Sequence, residues 1–589
     1  MPQRNSARAL AGLAILFACA ATLPGCGGSD PPPSPAPSPF PPPPGPSPSP
    51  SPPGPPAPFT VTATTPAQDA TGVPRDTPVR ATFSVPPDPA SIDSATVTLS
   101  GPEGNAIPVE TALAGATLDV TTLAGRLPGD TSFTLAFAPT ITDTSARGLL
   151  APYSFRFTTT PQAWQPTAQE VGELPSFTVG TQPSIGVDDS GDVTAVWHYT
   201  AAGTPTIKAA RMDSATGAWS SPVTVHADAL GAGIGGSSLA VAPDGNAYFC
   251  WLQHTAGTPE VRVARWRQSN GQWTASTVLN AVANDGWSPM SPVALADRNG
   301  NVTVLTSNSQ RLFATRFSPV TERWTAPLAI EHAVPDDTVS DQTMVVDPSG
   351  NVTAAWVQRV HSDIGIYAAR YDATSNAWGP AVLVAPSPLT GVFPPISMGV
   401  DDAGAVTMAW TRDDDDVAVP TEIQAAQLNP GAAQWTVPQR LDNNTTDPVG
   451  PQHAGVAVDP AGHATVVWMR SSGMEAVRRA PGGAWSAPVV IASGALDTWG
   501  NVPLVEADVA GNVAVAWLRD SRAVAAQFRV RDGQWRPHVT IDAPATGQTM
   551  LSNQPALAID PGGTINAVWF SWQNVGAAAR YAVVGNRFK

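Results

Sequence analysis

Cysteine is almost missing: Cys19, Cys26 and Cys250 are the three in 589 residues. The first two fall in or just after an apolar leader, so the body of the chain keeps Cys250 alone and a disulfide framework is excluded. Cys250 precedes Trp251 in an apolar run and reads as a buried, inert thiol. Charge is scarce as well, at 13 %, and leans negative, with 31 basic against 47 acidic residues and a net charge of −16. The electrostatic footprint of a nucleic-acid binder is therefore absent. A negative surface is also repelled by anionic lipid heads and polyphosphates. The eight histidines, at 198, 226, 254, 332, 361, 453, 463 and 538, show no H-E-x-x-H or other close metal spacing. No G-x-S-x-G nucleophile elbow occurs, and no apolar period of 3.6 runs long enough for a helix. The expectation is an all-β chain without a cofactor.

What is abundant is proline (63), glycine (50) and tryptophan (19). The chain is too long for one compact domain. Residues 1–25 carry Arg4 and Arg8, then the run "ALAGLAILFACAATL". That run is short for a membrane span and reads as a secretory signal. The following Leu23-Pro24-Gly25-Cys26 resembles the bacterial lipobox. The resemblance implies cleavage before Cys26 and lipid attachment to it; Gly27 next to it implies sorting to the outer membrane. The mature chain is then expected to be an exported lipoprotein, facing the periplasm or the cell surface, with a lipid anchor and no transmembrane helix. Residues 26–58 follow as a stalk. Positions 31–58 hold 18 prolines, which favours extended polyproline II and a reach of roughly 90 Å.

Residues 59–160 alternate in short β segments such as "ATLDVTT", "SFTLAFA" and "YSFRFTT", with Pro, Asp and Gly between them. About seven strands in this length read as a β-sandwich. Thr65-Pro66, Gly72-Val73, Phe83-Ser84, Leu127-Pro128-Gly129, Ile141 to Asp143 and the closing Tyr153, Phe155, Phe157, Thr158 and Thr159 carry a resemblance to bacterial Ig-like domains of surface-layer and adhesin proteins. That family usually serves as a spacer.

From residue 161 to 589 one unit recurs, as in "VDPSGNVTAAWVQ" and "VDDSGDVTAVWHY". Its turn glycines are Gly191, Gly245, Gly300, Gly350, Gly404, Gly462, Gly511 and Gly563, spaced by 49 to 58 residues. All-β periods of this size are propeller blades. Strand a ends in D-x-x-G, with Ala242 as the exception; strand b ends near a Trp, replaced once by Thr306; strand c carries Ala209–Arg211, Ala368–Arg370 and Ala578–Arg580. A further Trp marks strand d at 164, 219, 273, 324, 378, 435, 485 and 535. The first of these precedes the first strand a. Eight four-stranded blades are expected, the last closed by this N-terminal outer strand. The Asp is expected to cap its hairpin turn and the Gly to take positive φ. The repeated tryptophans are expected to pack between blades.

Strand parity puts the a–b turns on one face and the varied b–c and d–a loops on the other, where recognition resides. Candidate ligand residues there are Tyr199, His254, Trp287, Trp499 and Trp572, with Gln182, Gln342, Gln452 and Gln554 at the central mouth. The face also holds Asn443-Asn444 and the acidic run Asp413, Asp414, Asp415 and Asp416, a weak cation candidate that reads more simply as a solvated loop. The turns are similar to the sialidase aspartate box, but Asp stands three rather than two before Gly. "ARMDSATGAW" resembles the tryptophan-docking motif of quinoprotein dehydrogenases, without their vicinal cysteines. Neither carries its chemistry over. The expectation is a non-catalytic, lipid-anchored envelope protein that binds a glycan or a surface protein. A glycosidase or lyase with carboxylates at the mouth and an envelope assembly scaffold are the alternatives.

Overall fold

The structure is a computed structural model. It describes residues 57–589 except 123–124, 176–181, 229–232, 256–258, 282–290, 309, 333–337, 362, 388–394, 413–420, 444–449, 495–501, 543–549, 553 and 576–577. Among the described residues there is no α-helix, and no helix long and apolar enough to cross a membrane.

Residues 58–160 fold as a sandwich of two sheets. One pairs Val61–Thr65, Val79–Phe83, Thr117–Thr122 and Val109–Ala114 in that order; the other runs Ala70–Val73, Tyr153–Thr159, Ser132–Phe137, Val97–Ser100, Ala106–Ile107. The alternation seen in the sequence fills the space between them. Phe83, Phe133, Phe137, Phe155 and Phe157 turn inward and are at most 2 % exposed.

The repeat region forms eight sheets among the described residues, each ordered a-b-c-d from the inside outward. Blade 1 runs from Ser184–Val187 (a) through Val193–Ala201 (b) and Thr204–Met212 (c) to Val223–Ala227 (d). The a strands of blades 2 to 8 begin at Ile234, Val293, Thr338, Ser397, Gln452, Leu504 and Ala556. Each a strand touches the next, and the eighth returns to the first. Apolar clusters fill the spaces between neighbouring blades, including the closing one, where Val568, Phe570 and Val583 of blade 8 meet Trp197 and Ala210 of blade 1. This is a propeller. Its last blade takes strand d from the N-terminal side: Gln169–Leu174 pairs with Ala578–Phe588.

The strand-b tryptophans Trp197, Trp251, Trp356, Trp410, Trp468, Trp517 and Trp569 are all 0–1 % exposed, as inter-blade packing requires. The second Trp series sits one step earlier than expected. Trp219, Trp273, Trp324, Trp378 and Trp535 bridge back to the end of strand c, and strand d proper starts a few residues later.

The repeated turn has a physical reason beyond its own hairpin. In blade 4, Asp347 Oδ1 accepts the Asn351 N–H at 2.9 Å and caps the turn, while Gly350 sits at φ 84°. At six of the eight turn glycines a Cβ would also crowd the Asp of the preceding blade, as 2.9 Å from Asp347 Oδ2 at Gly404, 2.7 Å from Asp401 Oδ2 at Gly462, and 3.3 Å from Asp560 Oδ2 at Gly191, which closes the circle; Gly300 follows the blade without this Asp, and Gly563 faces Pro128 instead. In blades 1, 3 and 4 the turn Asp also pairs with the strand-c arginine of its own blade: Arg211–Asp188 at 3.2 Å, Arg316–Asp297 at 3.3 Å and Arg370–Asp347 at 2.9 Å. Blade 2 has Ala242 in place of Asp, and its Arg265 turns to Glu322 of blade 3 at 3.0 Å. In blade 8 the residue in this register is Arg587, opposite Asn566, rather than Arg580, which lies seven residues earlier and pairs with Glu170.

Candidate functional site

The sandwich is no free spacer. It lies on the a–b turn face of the propeller, against blades 6, 7, 8 and 1. Arg75 donates to the Gly562 carbonyl at 2.6 Å, Gln162 to the Gly563 carbonyl at 2.9 Å, and Asn105 to Asp459 at 3.2 Å. Arg126 pairs with Asp560, and Asp130 receives both Arg529 and Arg531. Ala510, from the turn of blade 7, enters the core of the sandwich itself. Burial lowers the Arg75 pKa to about 10. Val61 pairs opposite Phe83, and the segment just before Val79 holds Arg75. The end where the chain comes into the sandwich is therefore the end away from the propeller. The variable-loop face points the other way.

On that face the central channel opens as a cavity of about 360 Å³, lined by Gln182, Ser184, Ser237, Ser238, Ser291 and Leu557 among others. Three of the four expected glutamines tie neighbouring blades together at this rim. Gln182 donates to the Gln554 carbonyl at 2.9 Å, Gln554 to the Val502 carbonyl, and Gln342 to the Ser291 carbonyl at 2.8 Å. Each amide thus holds the backbone of the blade before it, just ahead of strand a. Gln452 begins strand a of blade 6 and is half-buried.

Tyr199 and Trp572 come to one seam, between blades 8 and 1. Trp572 stacks on Tyr581 with centroids 6.5 Å apart and planes at 14°, and Tyr581 and Tyr199 pack on the same apolar cluster. Burial raises the Tyr199 pKa. The Trp572 indole N–H is buried without a partner among the described residues. His254 lies elsewhere, exposed over the glycines at the start of blade 2, with its Nε2 3.0 Å from where a Cβ on Gly235 would be. Trp287, Trp499, Asn444, Asp413, Asp414, Asp415, Asp416 and Cys26 lie outside the described residues.

One recurring device escaped the sequence reading. Two residues beyond the buried Trp, Gln253 and Gln358 accept the indole N–H of Trp251 (3.1 Å) and Trp356 (2.9 Å). Their amides reach back to the preceding blade, to Asp228 at 3.0 Å and to the His332 carbonyl at 2.6 Å. The signal was there as W-x-Q. In blades 5, 6 and 7 the same position holds Arg412, Arg470 and Arg519.

Two carboxylates occupy the innermost strands above the turns. Asp341 sits in a bulge at the start of blade 4, where burial raises its pKa. Glu506 lies near the turn of blade 7, in a register held by Gly186, Ala240, Leu295, Val345, Gly399, Ala457 and Ala558 in the other blades. Counted along strand a, they differ in depth by roughly 10 Å before the channel width is added. They do not form the level, facing pair that glycoside hydrolysis uses.

Glu506 meets channel solvent yet is ringed by protein, and desolvation pushes it up to about 7 from 4.5. A raised carboxylate pKa costs stability once the group ionises. The cost grows as pH rises from 4.5 to about 7 and is complete above that. Because the group still meets solvent, the effect is small: Glu506→Gln is expected to melt slightly above the native protein at pH 8 and together with it at pH 4. Equal melting at both pH values would show that the channel solvates this carboxylate fully.

Glu103, Asp459 and His463 bring three possible metal-ligand atoms within 4.8 Å of one another. Arg478 already stands there as the cation, 2.7 Å from Glu103 and 3.6 Å from Asp459. The group joins sandwich to propeller as an ion-paired seam.

Residues 56–159 match the family model of the bacterial Ig-like domain. No curated protein is similar to the chain by sequence. Among solved structures, the chain is similar to the Dos1 propeller, at 8 % identity and a TM-score of 0.42 over 72 % of this chain and 95 % of that one. It is also similar to a polysaccharide lyase, PL25 ulvan lyase, at 11 % identity and 0.38 over 62 % and 93 %. The Penicillium chrysogenum α-L-arabinanase complexed with arabinobiose gives 10 % and 0.38 over 63 % and 100 %. Likenesses this distant carry no information on ligand or activity.

Proposed function

We propose that the protein is a lipid-anchored envelope protein whose eight-bladed propeller binds a glycan or a surface protein on its variable-loop face, without covalent chemistry. The observation that carries this reading is the position of the sandwich. It covers the turn face of blades 6, 7, 8 and 1 through Asp459, Ala510, Asp560 and Gly191, and the chain comes in at its far end. With part of the turn face covered by the sandwich, the opposite face is the one left to meet a ligand. That face combines varied loops with a polar mouth and the Trp572–Tyr581 stack, whose planes are suited to a sugar ring.

The test is glycan-array binding of the full chain with and without calcium. Selective binding of one glycan class that is lost in Trp572→Ala supports the reading, and dependence on calcium assigns a role to the acidic run Asp413 to Asp416. Silence across the array overturns the glycan form and leaves a protein partner, sought by crosslinking on intact envelopes.

A further inference from the structure

Arg412, Arg470 and Arg519 occupy one position, the top of strand b on the variable-loop face of blades 5, 6 and 7. The first two have carboxylate partners: Arg412 is 3.2 Å from Glu422, and Arg470 is 3.0 Å from Glu475. Arg519 differs. The residue directly across the hairpin from it is Arg522, a like charge where an opposite one would stabilise the pair. The buried carboxylate at hand, Asp542, is taken by Arg522 at 2.7 Å and by the Ala523 N–H at 2.9 Å.

What remains around Arg519 is weak. Its Nη1 donates to His538 Nε2 at 3.0 Å, and burial together with Arg519 lowers the His538 pKa, so that ring is a neutral acceptor. Asp520 comes no closer than 3.8 Å to Nε and is 87 % exposed. Most of the five N–H donors of this guanidinium thus have no protein acceptor among the described residues, while the side chain is 26 % exposed and reachable from solvent.

The surroundings break other local rules at the same place. The two-residue turn of this hairpin, Asp520 (φ 51°) and Ser521 (φ 56°), is left-handed at both positions without a glycine, where asparagine and glycine are the usual choice. The indole N–H of Trp517, on the same strand, is buried without a partner among the described residues. From blade 6, Gly494 faces the guanidinium, and a Cβ there would stand 2.8 Å from Nη2. Costs gathered at one spot, with no structural gain beside them, mark functional ground.

We propose that the notch between blades 6 and 7 is a subsite for the carboxylate of an acidic sugar residue, held by the fork of Arg519. A planar guanidinium matches a carboxylate in two parallel hydrogen bonds. With a net charge of −16, the protein as a whole repels acidic glycans at long range. A locally uncompensated arginine is what lets one site select them. The inference rests on the glycan form of the proposed function.

The experiment titrates the full chain with a trigalacturonate and with its methyl ester. Binding of the acid is expected to exceed that of the ester by about tenfold to a hundredfold. Arg519→Gln should remove that preference, and Arg519→Lys should restore little of it, while Arg522→Gln keeps it. Equal affinity for acid and ester, or an Arg519→Gln protein that still prefers the acid, overturns the subsite. If no saccharide binds, the glycan reading fails, and the subsite is judged separately by the Arg519 Nε–H resonance during titration with free glucuronate. A shift absent from Arg519→Gln supports it; an unmoved resonance overturns it.

Discussion

Deleting Gln169–Leu174 is expected to abolish the monomeric, cooperatively folded propeller. This segment pairs with Ala578–Phe588, more than four hundred residues away in sequence, and supplies the outer strand of blade 8. It also places Val171 and Leu174, 3 % and 9 % exposed, in the cluster between blades 8 and 1. Each of those side chains contributes about 1.5–3 kcal/mol by burial. Without them an eleven-residue strand becomes a bare edge, ready to pair with another chain. Oligomers and a broadened, lowered melting transition are expected by size-exclusion chromatography and calorimetry. A synthetic peptide of residues 161–176 added in trans should restore the monomer. A deleted protein that stays monomeric with native melting would mean that the ring is held shut elsewhere.

Asp560→Ala should be the most damaging of the turn substitutions, because this carboxylate serves two bodies at once. Its Oδ1 caps the blade 8 turn through the Thr564 N–H at 2.9 Å, and its Oδ2 pairs with Arg126 of the sandwich. The Asp560 side chain is fully buried and that of Arg126 only 18 % exposed. Removing one partner of such a pair costs about 3–5 kcal/mol. Asp347→Ala, at a turn whose carboxylate pairs with Arg370 inside the propeller, is the control. Both variants should melt lower, but Asp560→Ala alone should make the sandwich separately susceptible to proteolysis. A cycle with Arg126→Ala should show coupling of about 1–3 kcal/mol. Additive single effects would mean that the ion pair does not hold the two parts together.

The local grammar was legible in the chain before any contact was known. Turn capping by Asp, positive φ at Gly and inward Trp all follow from residues within one hairpin. Where local rules were met by non-local partners, the reading stopped short. The expected capping role of Asp459 is real, yet it says nothing of Asn105 and Glu103, which approach it from a different module. Ala578–Arg580 lies on strand c of blade 8 as its letters suggest, yet the arginine opposite the position that Thr194 holds in blade 1 is Arg587, because "AAR" here copies the letters but not the pairing. The glutamines before strand a were seen as a set. That their amides hold the preceding blade needed the ring to be closed.

The sequence by itself determined the strand order of each blade, the positions of the packed tryptophans and the early strand that closes the last blade. All of these depend on spacings of two to fifty residues, and spacing is what a repeat writes down. The tertiary structure alone decided the rest. It laid the sandwich on the turn face, set Glu506 in the channel and left Arg519 opposite Arg522 with the buried Asp542 taken by Arg522. The physical reason is common to all three. Charge balance and desolvation are set by whatever stands within a few ångströms, and those neighbours come from other blades and from another module.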